Sequence, residues 1–409
     1  MRKLINYKLI FLSSFFLAAC SNEDNIPSIL PSNQPDAVEL GITAGVTLTK
    51  SVINSGTQAD ASKDDVMKSV AVYARLKGNS PESGEDPYTN AKSNNYALYA
   101  YNTAGTAGWK SGDKKIYLTS EVAKIYAYYP AYKPGTNQEL ATTTALVLSD
   151  NTATDNSTIP VTVFAGTTDD ANRDYPSTLI DNSETASTNK AKINSAKGEI
   201  DYMWADQGDS DTKWITASNT KKETSIDASV DLTMKHALTF VSFRIYNDGT
   251  YKNKGMLSRI QLKDVPDQKV SGNSNSLATM NIDKGTLANN SSLTTGSYIR
   301  EFATGATYTL KKKGDSGLSD DKATKEASYR FSILALPITS KALNNTKAIF
   351  TIDGADYEVA LADNGTGVTW KQGEENIYTV KLSGKELSIG TVTVAVWGTG
   401  TGNDGLEVN

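Results

Sequence analysis

Histidine and cysteine carry the chemistry of many hydrolases and metal sites, and this chain has one of each. Its 409 residues include a single histidine, His236, and a single cysteine, Cys20. A Ser-His-Asp or Cys-His hydrolase would need His236 as its base, and the usual zinc sites need more histidine or cysteine ligands than the chain has. These enzyme classes are nearly excluded, and a structural role for His236 is favoured.

Cys20 points to a different chemistry, because it ends a segment typical of an export signal. Three basic residues precede an apolar run from Leu9 to Ala19, which is too short to cross a bilayer. The segment Leu17-Ala18-Ala19-Cys20 resembles the bacterial lipobox, in which the cysteine becomes the new amino terminus and is acylated. We therefore predict a lipoprotein signal peptide at residues 1–19, a lipid anchor on Cys20 and an extracytoplasmic mature chain without disulfides.

Carboxylates and tryptophans offer two further kinds of site. The acidic clusters lack the full spacing of a calcium loop, so we interpret them as solvated turns and predict no metal and no cofactor. Tryptophans stack on sugars when they are exposed, but in sandwich domains they more often lie in a core or an interface. The acidic clusters are Asp169-Asp170 with Asp174, Asp209 with Asp211, and Asp320-Asp321, and the tryptophans are Trp109, Trp204, Trp214, Trp370 and Trp397.

The charge balance argues against nucleic acid as a partner. The full chain has 41 basic and 46 acidic residues. Without the signal peptide the balance is 38 to 46, a net charge of −8, and the mature chain has no basic block that could follow a phosphate backbone.

The elements that must position these residues are β-strands. Val38 to Thr49 is the clearest, since Val38, Leu40, Ile42, Ala44, Val46 and Leu48 alternate with polar residues and glycines and therefore share one face. Further short alternating runs are separated by Asn, Asp, Gly and Ser, and no long helix is indicated. The spacing of the runs favours β-sandwiches, with a polar stretch and a domain boundary near Thr224.

A last strand is predicted near the carboxyl end. Leu387 and Ile389 share one phase of the alternation, whereas Val392, Val394 and Val396 share the other. Gly390 between them therefore indicates a bulge or a bend.

The chain resembles the fimbrillin superfamily, the subunits and related adhesins of the type V pili of Bacteroidetes. The resemblance covers nearly the whole mature chain and depends on short patterns in the expected order. They are the lipobox, Thr49-Lys50-Ser51, Trp109 with Gly112-Asp113, the Ile125 to Pro130 run, Asp201 to Ala205, Leu232 to Phe243 with His236, and Val392 to Trp397.

This resemblance implies an all-β chain of two transthyretin-like β-sandwich domains in tandem, behind a removable first strand. Residues 20–50 would form the propeptide, 51–224 the N-terminal domain and 225–409 the C-terminal domain. The removable strand would contribute Val38, Leu40, Ile42, Val46 and Leu48, and a donor strand Leu387, Ile389, Val392, Val394 and Val396. The partners would be other fimbrial subunits, the outer membrane through the lipid of the precursor, and a trypsin-like or Arg/Lys-specific protease.

The expected cleavage site departs from the best-known members of the superfamily, which are cut after arginine. This chain has Lys50 at the matching place, followed by Ser51. The next arginine, Arg75, follows an alternating run and is expected to lie inside a folded strand, so cleavage after Lys50 is favoured.

Two other functions stay open. A monomeric surface lipoprotein that binds glycans would keep its first strand and expose tryptophans on one face. A secreted glycosidase would need two facing carboxylates, which the sequence neither indicates nor excludes.

Overall fold

The all-β prediction is confirmed by a computed structural model, in which the described residues form 24 strands and one short helix. The described residues are 37–46, 67, 69–76, 95–102, 108–131, 158–166, 196, 199–207, 215–219, 228–266, 268, 276–289, 295–303, 306–338, 343, 345–361, 369–396 and 406–408. The strands are β1 (Val38–Glu39), β2 (Gly41–Val46), β3 (Ser69–Leu76), β4 (Tyr96–Asn102), β5 (Gly108–Ser111), β6 (Tyr117–Leu118), β7 (Ala123–Tyr129), β8 (Thr158–Val163), β9 (Met203–Ala205), β10 (Thr216–Ala217), β11 (Ser229–His236), β12 (Thr239–Asn247), β13 (Met256–Val265), β14 (Ser276–Asn281), β15 (Leu287–Asn289), β16 (Gly296–Glu301), β17 (Tyr308–Thr309), β18 (Lys311–Lys312), β19 (Arg330–Ala335), β20 (Lys347–Ile352), β21 (Ala355–Ala360), β22 (Glu374–Ser383), β23 (Glu386–Val396) and β24 (Leu406–Val408). The helix is α1 (Asp321–Glu326), and the described part of the chain has no helix with the length and apolar character needed to span a membrane.

The amino-terminal half is organised around an eight-stranded sheet. Its strands lie in the order β2-β11-β9-β7-β3-β4-β5, and β10 pairs with β7. The central strand β7 is buried on both faces: Ile125 and Ala127 pack in one core, while Tyr126 and Tyr128 pack in a second, larger one. An amphipathic strand, β11, buries alternate residues, as its sequence predicts.

The carboxyl-terminal half is a sandwich of two sheets. One contains β18-β12-β22-β23-β24 with β19 on β12, and the other contains β16-β13-β20-β21 with β17 on β13. The sheets meet through aromatic side chains, since Phe243 of β12 lies edge-on to Phe350 of β20 with ring centroids 5.4 Å apart. The larger core fills the space between them.

The chain changes from the first sheet to the second at Ala237 and Leu238, between β11 and β12. The predicted domain boundary at residue 224 precedes β11, which pairs with β2 and β9 in the eight-stranded sheet. By its pairing, therefore, β11 lies with the strands that the sequence assigns to the N-terminal domain.

A smaller sheet connects the two halves. Strand β8 of the amino-terminal half pairs with β14 of the carboxyl-terminal half, and β15 completes this three-stranded sheet. Nearby, the buried carboxylate of Glu199 accepts hydrogen bonds from the Arg300 guanidinium and from the Leu334 N–H. The two halves therefore share both a strand ladder and a buried ion pair.

Candidate functional site

The predicted removable strand lies at an edge of the eight-stranded sheet. Strand β1 pairs antiparallel with β6, and β2 pairs parallel with β11 from Gly41 to Val46. Leu40 separates these two pairings, and its N–H donates to the Ile116 carbonyl at 2.8 Å. Since β2 is the last strand in the order of the sheet, its backbone ladder has one neighbouring strand, β11, among the described residues.

The side chains of this segment alternate, but not over its whole length. Leu40 and Ile42 are 1% and 7% exposed and belong to the smaller core. Val38, which the sequence places on the same face, is 44% exposed. The difference arises because the chain changes partner at Leu40, so β1 and β2 do not form one continuous strand. The side chain of Val46 and all of Leu48 lie outside the described residues.

The edge of β2 that faces away from β11 contacts side chains of the β4-β5 hairpin. The Tyr99 hydroxyl donates to the Leu40 carbonyl at 2.7 Å, and the Trp109 Nε1–H donates to the Ala44 carbonyl at 3.1 Å. Burial and the nearby Glu39 carboxylate raise the pKa of Tyr99, so its phenol keeps its proton and stays a hydrogen-bond donor.

Glu39 fixes the beginning of the segment by two polar contacts. One carboxylate oxygen accepts from the Ser111 hydroxyl, and the other lies 2.9 Å from Lys115 Nζ. The hydrogen bond to Glu39 raises the pKa of Lys115. Because both side chains of this ion pair are partly exposed, its contribution to stability is small, but it places Glu39 at a defined position.

The residues of the predicted lipid and cleavage sites, Cys20, Lys50 and Ser51, lie outside the described residues. The competing cleavage position is described. Arg75 is 9% exposed, and it lies in β3, between β4 and β7 in the order of the sheet. Its Cα partner across the ladder is Lys124 of β7.

The predicted donor segment forms β23, a strand of the carboxyl-terminal sandwich. It pairs antiparallel with β22, and the register shifts where Gly390 is skipped between Ile389 and Thr391. The bulge predicted at Gly390 is confirmed. Val392 is 4% exposed, and Leu387, Ile389 and Val394 are half-buried against the larger core, while the Val396 side chain lies outside the described residues. Strand β24 pairs with β23 from Val392 to Val394.

Comparison with known proteins identifies the family of this chain. A family model described as fimbrillin-like matches residues 57–397. The chain belongs to the fimbrillin-like family. The predicted resemblance is therefore confirmed, and a search of curated proteins found no match.

Three solved structures that are similar to this fimbrillin-like chain come from Bacteroides species. A candidate cell adhesion protein of Bacteroides ovatus is 12% identical, with 89% of this chain and 99% of that chain covered and a TM-score of 0.50. A candidate cell adhesion protein of Bacteroides uniformis is 16% identical, with 88% and 98% covered and a TM-score of 0.48. A fimbrial protein of Bacteroides vulgatus is 12% identical, with 88% and 99% covered and a TM-score of 0.49. The likeness to the Bacteroides ovatus structure concerns the fold.

The single histidine of this fimbrillin-like protein is buried beside a carboxyl group. His236 Nδ1 lies 2.7 Å from Asp201 Oδ2, and both side chains are inaccessible to solvent or nearly so. The pair joins the end of β11 to the segment before β9, next to the hydrogen bond from the Ala237 N–H to the Tyr202 carbonyl. This is a packing position at the junction of the two halves, in agreement with a structural role.

The one described acidic cluster contacts protein groups. Asp320 caps α1 by accepting from the Ala323 N–H, and Asp321 lies 2.9 Å from Lys313 Nζ. Among the described residues, no group of three or more His, Cys, Asp or Glu side chains is arranged to hold a metal. The other two clusters, Asp169-Asp170 with Asp174 and Asp209 with Asp211, lie outside the described residues.

The described tryptophans lie in cores or contacts. Trp370 is fully buried and donates to the Tyr378 hydroxyl, and Trp204 is 8% exposed. Trp109 is half-buried and directs its N–H at β2. Trp214 and Trp397 lie outside the described residues. Sequence reasoning identified Trp109 as part of a family pattern and as one of five tryptophans considered for sugar stacking, and it missed the contact of Trp109 and Tyr99 with the first strand.

Proposed function

We propose that this protein is a structural subunit of a surface fimbria, with a role in adhesion or biofilm formation. In this proposal it is exported as an outer-membrane lipoprotein precursor anchored through Cys20. A trypsin-like or Arg/Lys-specific protease then cuts between Lys50 and Ser51. The cleaved chain polymerises when a strand of one subunit replaces the strand that another has lost. Membership of the fimbrillin-like family supports the fimbrial role.

The observation that carries the proposal is the position of β2. Ile42 of β2 and the preceding Leu40 are buried in a core, yet β2 lies at the sheet edge and precedes Lys50 in the chain. Burial of two such side chains contributes about 3–6 kcal/mol, as an upper bound. Loss of β2 would expose this apolar surface and the backbone groups of β11, and addition of an extended segment from another subunit is the direct way to cover both.

The fold also supports cleavage at Lys50 rather than at Arg75. A protease must bind its substrate as an accessible extended chain. Arg75 is nearly buried in a strand with a neighbour on each side. Cleavage there would require the centre of the sheet to open.

The carboxyl-terminal strand is the proposed donor. It is long, it ends a sheet together with the short β24, and its last residues are followed by the glycine-rich stretch Gly398 to Gly402. Leu387, Ile389 and Val394 are only half-buried in their own domain, so part of their apolar surface is left for another partner.

The experiment is limited trypsin digestion of purified Ser21–Asn409, followed by amino-terminal sequencing and electrophoresis without boiling. We expect a new amino terminus at Ser51 and a ladder of stable multimers. Lys50→Ala should stay uncut at this position and monomeric, whereas Lys50→Arg, the matched control, should be cut and polymerise. Normal multimers from Lys50→Ala would refute the assignment of the site, and a cut product that stays monomeric would refute polymerisation.

A monomeric glycan-binding lipoprotein is the second candidate, and one exposed aromatic pair favours it. Tyr101 is 43% exposed and lies edge-on to Trp109, with ring centroids 5.6 Å apart. Such a pair is small for a sugar platform, and the indole N–H of Trp109 already binds β2. A cut but monomeric product that binds a glycan array through Tyr101 would select this candidate.

A further inference from the structure

The segment Glu39 to Ala44 is held by contacts that depend on its position along the groove. Lys115 and Ser111 contact the side chain of Glu39, and Tyr99 and Trp109 bind the carbonyls of Leu40 and Ala44. We call the space that this segment fills beside β11 the acceptor groove. The two carbonyls lie on the edge away from β11, so Tyr99 and Trp109 select the phase of an extended strand, and its side chains must select among registers that differ by two residues.

The same pattern of side chains recurs once more in the chain. Glu39-Leu40-Gly41-Ile42 and Glu386-Leu387-Ser388-Ile389 are the two occurrences of Glu-Leu-x-Ile in the sequence. The first lies in the acceptor groove and the second begins β23. We propose that Glu386 to Thr391 of a second copy replaces Glu39 to Ala44 residue for residue. Tyr99 and Trp109 bind its backbone carbonyls, and Lys115 together with the buried positions of Leu40 and Ile42 sets this register. The inference rests on the proposed function, since the groove must first be vacated.

The volumes of the groove favour this register. In it, Leu387 and Ile389 occupy the places of Leu40 and Ile42, so the same side chains refill the same core. Val392 and Val394, the other apolar phase of β23, are each one methylene smaller and would leave voids in a close-packed interior. The bulge at Gly390 separates the two phases, so a regular strand directs only one of them at the groove.

The remaining positions can accept the same alignment. It places Ser388 where Gly41 lies, and a Cβ there would be 3.1 Å from Ser229 Cβ, so the exposed Ser229 must shift by a few tenths of an ångström. Glu386 takes the place of Glu39 beside Lys115, whose ammonium group attracts a carboxylate. Leu387 and Ile389 also gain burial, because they are half-buried in their own sheet, whereas the groove positions are 1% and 7% exposed.

The register is tested by disulfide cross-linking of the cleaved, polymerised chain Ser21–Asn409, which lacks Cys20. Thr43 is the Cα partner of Asp231, and both are exposed. In the proposed register Gly390 takes the place of Thr43, so Asp231→Cys with Gly390→Cys should form a covalent ladder under mild oxidation. The matched control is Asp231→Cys with Ala395→Cys. This pair would cross-link only in the competing register, in which Val394 takes the place of Ile42, so it should not form a covalent ladder. The reverse result, or polymers without either cross-link, would overturn the inference, whereas absence of polymers would overturn the proposed function.

The contribution of Tyr99 and Trp109 is tested without cleavage. Hydrogen exchange of residues 38–46 in the full chain reports how often this segment opens. Tyr99→Phe and Trp109→Phe should each raise its exchange rate about fivefold, the effect of one lost hydrogen bond. Tyr101→Phe is the control, because its ring lies in the same hairpin and is 43% exposed. Unchanged exchange in both variants would overturn the role assigned to Tyr99 and Trp109.

Discussion

The Asp201 carboxyl group is buried in a place where its charge is unfavourable. Burial raises the pKa of Asp201, and this effect outweighs the lowering by His236 and by the Tyr202 N–H. The Tyr129 phenol interacts with Asp201, and burial raises the pKa of Tyr129, so this phenol remains neutral near the carboxyl group. The folded chain therefore binds a proton at Asp201 more tightly than the unfolded chain does.

The pH dependence of stability follows from this shift. A carboxyl group whose pKa is raised in the folded state makes the fold more stable as the pH falls through that pKa towards the ordinary aspartate pKa of about 4. The same group makes the fold less stable as the pH rises over this range. We therefore expect the stability of the wild type, relative to Asp201→Asn, to decrease as the pH rises from about 4 to 7. Urea unfolding of both proteins over this pH range gives the difference between their free energies of unfolding. The effect of the other carboxylates is common to both proteins and cancels in this difference. A constant difference, or one that grows with pH, would contradict the assignment.

The bulge in β23 shows how one inserted residue controls a strand. Gly390 allows Leu387 and Ile389 to share a core-facing side with Val392 and Val394, although their sequence phases are opposite. Deletion of Gly390 would remove the inserted residue, and Val392 and the residues after it would turn to the other face.

We expect deletion of Gly390 to destabilise the chain by at least about 2 kcal/mol, the value of one buried valine. Gly390→Ala is the matched control and should change stability by less than about 1 kcal/mol, because its Cβ would lie 3.8 Å from the nearest atom, the Thr379 carbonyl oxygen. Chemical denaturation of the two variants measures both values. Equal stability of the deletion and the wild type would mean that the strand reaches the same packing without a bulge.

The alternation of side chains made much of this structure predictable. The strands around Lys235 and His236 and the bulge at Gly390 follow from residues close together in the sequence. The exposure of Val38 does not, because it depends on a change of pairing partner at Leu40. The hydrogen bond from Tyr99 spans a sequence separation of 59 positions, and the one from Trp109 spans 65. No local pattern indicates contacts between residues so far apart in the chain.

The two halves of the molecule are joined by contacts that resemble a core more than a flexible linker. Trp204 of β9 packs on the turn at Gly285, between β14 and β15, and the Gly285 carbonyl accepts from Gln372 Nε2. The Glu199–Arg300 pair, which also joins the two halves, is fully buried. Removal of one partner from a buried pair is strongly destabilising, so these contacts favour joint unfolding of the two halves. A subunit that transmits force along a filament would benefit from such a junction.

Gly285→Ala tests the junction directly. A Cβ at this position would lie 2.1 Å from the Trp204 ring, and the residue has a φ of +65°. Gly384→Ala is the matched control, because Gly384 has a φ of +57° but no atom within 4 Å of the place that a Cβ would take. The positive φ costs an alanine about 1–2 kcal/mol at either site, and overpacking against Trp204 should cost Gly285→Ala a further ~1–3 kcal/mol. Urea unfolding followed by circular dichroism measures both losses. Equal losses would mean that Trp204 moves away without cost and that the junction is not tightly packed.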